Sequence, residues 1–148
     1  MKWNPGWKDR AVKQMFSSCN RCGSCCSDVG VVDIYQKDLH RLSRKLHISV
    51  EDVIRSFCDN HPKGGSRFTF KNLKPCNFLK QGRCRIYNHR PLVCRLTPYL
   101  VGEWKYCHQE FDNLPELDDQ AILIGLVKNT GLSTTEILDY LKYVGAVI

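Results

Sequence analysis

Between residues 35 and 58 apolar positions recur at helical spacing. Leu39, Leu42 and Leu46 fall on one side of a helix predicted over about Tyr35 to Lys45. Val50, Val53, Ile54, Phe57 and Cys58 form the inner face of a second helix, with Ser49 as its N-cap and Asp52 at the third helical position. Together they predict a small helical hairpin. The period then shortens. SRFTFKNL alternates at Phe68 and Phe70 and reads as a strand, while CNFL and RCRIY flank Lys80-Gln81-Gly82 as the arms of a β-hairpin. Pro91 suits the first turn of a short helix carrying Cys94, and EWKYC reads as a further strand. The last third predicts two helices, Asp118 to Lys128 and Thr134 to Lys142, separated by NTGLS, with Ser133 and Glu136 spaced as a capping box. The expected class is α+β: one small domain over 1–148, with a loop-rich cysteine region over 19–107 and a helical extension from about 116 to 148.

A chain of 148 residues with 43% hydrophobic residues can bury a core of its own. No window reaches the 18 apolar residues of a membrane span, and the start MKWNPGWKDR lacks the apolar stretch of a secretory signal, so the expected location is cytoplasmic. Disulfides rarely persist there. Nine cysteines, an odd number, therefore point to metal or redox chemistry rather than to covalent staples.

Four of the nine lie in CNRCGSCC, residues 19 to 26. Cys19, Cys22 and Cys25 stand at C-x2-C-x2-C, which lets one loop wrap three thiolates around a site, as ferredoxin-type loops do around a 4Fe-4S cluster. The same spacing contains the C-x2-C half of a tetrahedral zinc site. Cys26 is adjacent to Cys25, and vicinal side chains point apart, so Cys26 is expected to serve a second centre. Cys76, Cys84, Cys94 and Cys107 supply the remaining ligands, while Cys58, on the apolar face of its predicted helix, is expected to be a small core residue. Eight ligands are what two four-cysteine sites require. Which of Cys76, Cys84, Cys94 and Cys107 completes the first site is open at this level, as is one centre against two.

The chain resembles the CxxCxxCC cysteine-cluster family, also called YkgJ-type and described as a zinc- or iron-chelating domain. The resemblance rests on Cys19 to Cys26 joined to a later run, C-x-FL-x-x-G-x-C-x-IY-x-x-RP-x-x-CR. That run stands here as Cys76, Phe78, Leu79, Gly82, Cys84, Ile86, Tyr87, Arg90, Pro91, Cys94 and Arg95. One departure is Thr97, where the family usually places an aromatic before the proline, here Pro98. The resemblance implies a metal held by these cysteines. Arg90 and Arg95, which match its RPxxCR, are expected to bind near the centre and donate hydrogen bonds to its sulfur, with pairing to acidic neighbours the competing role. His89 and His108 lie close to cysteines but lack ligand spacing and are expected to be surface residues.

The net charge of +7 favours a polyanionic partner only while the cysteines are counted as neutral. Eight thiolates with two zinc ions or two 4Fe-4S clusters bring it to about +3, so nucleic acid is disfavoured. The C-terminal helix pair resembles a helix-turn-helix, yet its second helix offers Lys142 against Glu136 and Asp139, where a DNA reader needs cations. Three functions remain. The leading one is iron-sulfur-dependent electron transfer or redox chemistry serving a larger enzyme or protein partner. A zinc-stabilised, non-enzymatic interaction module is the alternative, and a redox-sensing DNA-binding regulator the third. No nucleophile-base pair or nucleotide loop is visible, and no substrate is named.

Overall fold

No apolar periodicity marks the polar first residues, yet they form a helix, α1 (Trp7–Phe16). In the computed structural model residues 1–17, 32–65, 67–71, 75–97, 99–100 and 110–148 are described. The segment EWKYC, Cys19, Cys22, Cys25, Cys26, Cys107 and His108 lie outside the described residues. Among the described residues no helix is long and apolar enough to cross a membrane.

The chain forms two compact units, Met1–Ser18 with Leu96–Ile148, and the intervening Cys19–Arg95. In the first unit α1 packs on α5 (Asp119–Thr130). Lys8 meets Asp119 at 3.9 Å near the start of both helices, and the Asn129 side chain donates to the Gln14 carbonyl at 2.8 Å near their ends, so the two run in the same direction. Gly125 makes the close approach possible, because a Cβ there would fall on the Met15 side chain. Two further side chains of α1, one turn apart, hold the backbone of Tyr99: the Gln14 side-chain oxygen accepts its N–H at 3.1 Å, and Arg10 Nε donates to its carbonyl at 2.6 Å. The Arg10 guanidinium also stacks on the Trp7 ring, 4.4 Å from its centroid. Gln14 is only 3% exposed, so its amide is held where a burial pattern alone calls for an apolar residue.

Helix α5 starts at its cap, Asp118, whose carboxylate accepts from the Ala121 N–H at 2.8 Å, and ends at Gly131 in the left-handed region, φ 72°. A single residue, the buried Leu132, then leads to Ser133, which caps α6 (Thr134–Tyr143) in the expected reciprocal box with Glu136. Ile122, Leu126, Ile137 and Leu141 are fully buried around this turn. The pair is a packed hairpin, as its apolar residues predict, and the exposed side of α6 shows Thr135, Asp139 and Lys142 rather than a cationic row.

The second unit begins with the predicted helical hairpin, α2 (Gln36–Leu46) and α3 (Val50–Phe57). His47 turns the chain at φ 57°, and Ser49 caps α3 by accepting from the Asp52 N–H at 3.1 Å. Leu39, Leu42 and Val53 are the buried face. A three-stranded antiparallel sheet lies in the order β1 (Asp33–Ile34), β3 (Phe68–Phe70), β2 (Cys58–Asn60). Cys58 thus opens a strand instead of closing the helix, although it is buried as expected. The predicted hairpin is β4 (Leu79–Lys80) paired with β5 (Arg83–Cys84), followed by a 3-10 turn (Tyr87–His89) and a short helix, α4 (Leu92–Leu96). Helices and two small antiparallel sheets make the class α+β.

The close contact at Gly125 predicts that Gly125→Val destabilises the protein by about 2 kcal/mol, read from the denaturant midpoint. Adding Met15→Ala in the same chain should recover part of that loss.

Candidate metal centre

Cys76 and Cys84 are placed by the β4–β5 ribbon. The Leu79 N–H donates to the Cys76 carbonyl at 3.0 Å, so Cys76 opens the turn into β4, and Leu79 faces Cys84 across the ladder. The two-residue connection Gln81-Gly82 has φ of 52° and 74°, the left-handed pair that matches the twist of a tight hairpin. Glycine takes the second position without strain. Cys76 and Cys84 therefore share the open end of the ribbon. Phe78 fastens that end to the core: its buried ring sits 4.9 Å from that of Phe57 and 5.2 Å from that of Phe70.

Cys94 rides on α4, whose start is fixed by a buried carboxylate. Asp38, only 1% exposed, accepts from the Leu92 N–H at 3.0 Å through one oxygen and from the Tyr35 N–H at 2.9 Å through the other, with Arg41 at 3.6 Å. One side chain thus starts α2 and orients the helix that carries Cys94. Sequence reasoning passed over Asp38; the available signal was its place three residues after Tyr35 at a helix start, the spacing of a capping box.

Arg90 and Arg95 close the loop before Cys94 onto itself. Arg90 Nε donates to the Tyr87 carbonyl at 2.8 Å and its guanidinium lies 3.9 Å from the Tyr87 ring centroid. Arg95 donates through Nε to the Arg90 carbonyl at 3.1 Å and through a terminal nitrogen to the Asn88 carbonyl. These bonds hold 87–95 as one stitched segment, and His89 is half-buried within it.

Cys76, Cys84 and Cys94 are half-buried thiols, soft donors of the kind that zinc and iron-sulfur centres take. Among the described residues no three His, Cys, Asp or Glu side chains gather into one metal-holding group. Cys58 differs in kind. It is 5% exposed, and burial pushes its thiol up from 9.0 to about 11, with Asp59 adding to the rise and Lys71 opposing it.

A family model described as "Putative zinc- or iron-chelating domain" matches residues 18–117. The chain is similar to "Uncharacterized protein MJ0661" of Methanocaldococcus jannaschii, with 35% identity over 86 residues, covering 56% of this chain and 44% of that protein. The match thus spans less than half the length of that relative. No solved structure matches.

Two outcomes follow from this geometry. Asp38→Ala leaves the N–H groups of Leu92 and Tyr35 and the Arg41 charge without their shared acceptor, and should cost roughly 3 kcal/mol or more, measured by urea unfolding. Cys58 should resist iodoacetamide near pH 8 until the chain unfolds. Its pKa is raised in the fold, so the stability it contributes is complete below about 9 and declines as the pH rises through about 11. A Cys58→Ala protein should lack that part of the alkaline loss.

Proposed function

The chain belongs to the CxxCxxCC family, and on that premise we propose that its cysteines hold iron-sulfur centres that serve electron transfer in a larger redox system. The observation that carries this reading is the extent of the family match. Residues 18–117 enclose Cys19, Cys22, Cys25, Cys26, Cys76, Cys84, Cys94 and Cys107, the whole proposed ligand set. The donors are thiolates, the Cys19-Cys22-Cys25 spacing is that of a cluster-binding loop, and no candidate histidine stands at ligand spacing. When bound, a 4Fe-4S cluster supplies a site that gains and loses single electrons. The chain's own residues hold and orient the ligands: Asp38 sets the start of the Cys94 helix, Phe78 anchors the ribbon of Cys76 and Cys84, and Arg90 and Arg95 bind the carbonyls of the loop between them.

Two centres are proposed, with Cys26 in the one not held by Cys19, Cys22 and Cys25. Cys76, Cys84, Cys94 and Cys107 are shared between the two: one completes the first centre and three join Cys26. A zinc-stabilised, non-enzymatic interaction module is the second reading, favoured by the family description, which names both metals.

Anaerobically purified protein should absorb broadly near 400 nm and contain iron and sulfide in amounts corresponding to two clusters; a colourless protein with stoichiometric zinc selects the second reading. Cys22→Ala should lose metal or fail to fold, Cys58→Ala should keep the full content, and Cys26→Ser should lose about half. Equal loss in Cys22→Ala and Cys58→Ala would sink the assignment of ligands.

A further inference from the structure

Charge is divided unevenly along the chain. Cys19–Arg95 carries 15 Lys and Arg against 6 Asp and Glu. Three of those six are committed locally: Asp38 is buried, Asp33 faces His61 at 2.6 Å, and Asp52 pairs with Arg55 at 2.7 Å. Four of those cations, Lys37, Arg41, Arg44 and Lys45, lie on α2. Lys37, His40 and Arg44 are exposed, and a helical turn of 3.6 residues aligns them along one side, with exposed Lys45 on the flank. The sole acid of α2 is Asp38, which is buried on the opposite side. Among the described residues the Lys37, Arg44 and Lys45 side chains make no ion pair or hydrogen bond, and His40 meets Gln36 at 3.4 Å. This row works against the helix. Lys37 sits in the first turn, at the positive end of the helix dipole, where a cation is unfavourable.

We propose that the outer face of α2, centred on Lys37, His40 and Arg44, is the docking surface for an acidic protein that exchanges electrons with the cysteine-held centre. The partner's role rests on the redox reading above; the surface rests on the helix. Position and chemistry both select such an occupant. The inner side of the same helix binds the Leu92 N–H through Asp38, so a partner on the outer side stands about one helix diameter, roughly 10 Å, from the backbone that carries Cys94. An 11-residue helix, about 16 Å long, suits the small, charge-steered and quickly released contacts of electron-transfer partners.

The test uses full-length, anaerobically purified protein and fluorescence anisotropy with labelled poly-L-glutamate, beside oligothymidylate of equal chain length. Poly-L-glutamate should bind at low ionic strength and release as salt is raised. Lys37→Glu with Arg44→Glu should weaken that binding by about tenfold or more, whereas Lys63→Glu with Lys80→Glu should change it by less than about twofold. No binding, equal losses in both variants, or tighter binding of oligothymidylate to the same face would overturn the surface. Metal content and absorption are measured on every sample. Zinc in place of iron removes the electron-transfer role while selective binding on α2 still stands; loss of that selectivity in iron-loaded protein removes the surface alone.

Discussion

The cysteine-bearing unit depends on one buried carboxylate. The Asp38 carboxyl at 1% exposure is tolerable only if its lost hydration is replaced, since burying a polar group without partners costs several kcal/mol. The replacement comes from two backbone N–H groups and a guanidinium that belong to separate parts of the chain: Tyr35 at the start of α2, Arg41 one turn on, and Leu92 at the start of α4. Both N–H donors are groups that a helix start leaves without an internal partner. The same bonds thus satisfy the carboxylate and begin two helices. That is why a residue 56 positions before Cys94 governs where Cys94 stands.

A related economy holds the other unit. Its two segments, Met1–Ser18 and Leu96–Ile148, flank the cysteine-bearing stretch in sequence, so the chain must leave after α1 and return near Tyr99. Arg10 and Gln14, one turn apart on α1, bind the carbonyl and the N–H of Tyr99. Both backbone groups of the returning chain are then satisfied at the helix from which it departed. Parallel packing of α1 on α5, admitted by Gly125, gives that clamp a rigid back.

Much of this fold is legible in the sequence where one period dominates. The face of Leu39 and Leu42, the caps at Ser49 and Ser133, and the Gln81-Gly82 hairpin all announce themselves, because apolar spacing, cap chemistry and turn residues agree locally. What stays hidden is held by contacts distant in sequence. Helix α1 buries Ala11, Val12 and the polar Gln14, too narrow an apolar stripe to be read. Cys58 continues the apolar spacing of α3, yet its N–H is the last to close on that helix before pairing with β3 begins. His61, buried between the Asp33 carboxylate and the Lys63 N–H, gives no signal of its own. Of the candidate site, the residue types and spacing are readable, and the framework that orients them through Asp38 is not.

Burial also sorts the thiols. A cysteine deep in the core is kept protonated by the cost of burying a thiolate, and Cys58, pushed to about 11, stands at that end. A metal ligand must be able to give up its proton, which requires partial exposure or a nearby positive charge. Cys76, Cys84 and Cys94 meet the first condition, for they are half-buried on a ribbon end and a short helix rather than on the apolar face of a long one. The distinction between Cys58 and these three thiols is therefore physical before it is a matter of motif. It follows from where the helices and the ribbon place each sulfur relative to the apolar interior, and Asp38 and Phe78 are the residues that set those placements.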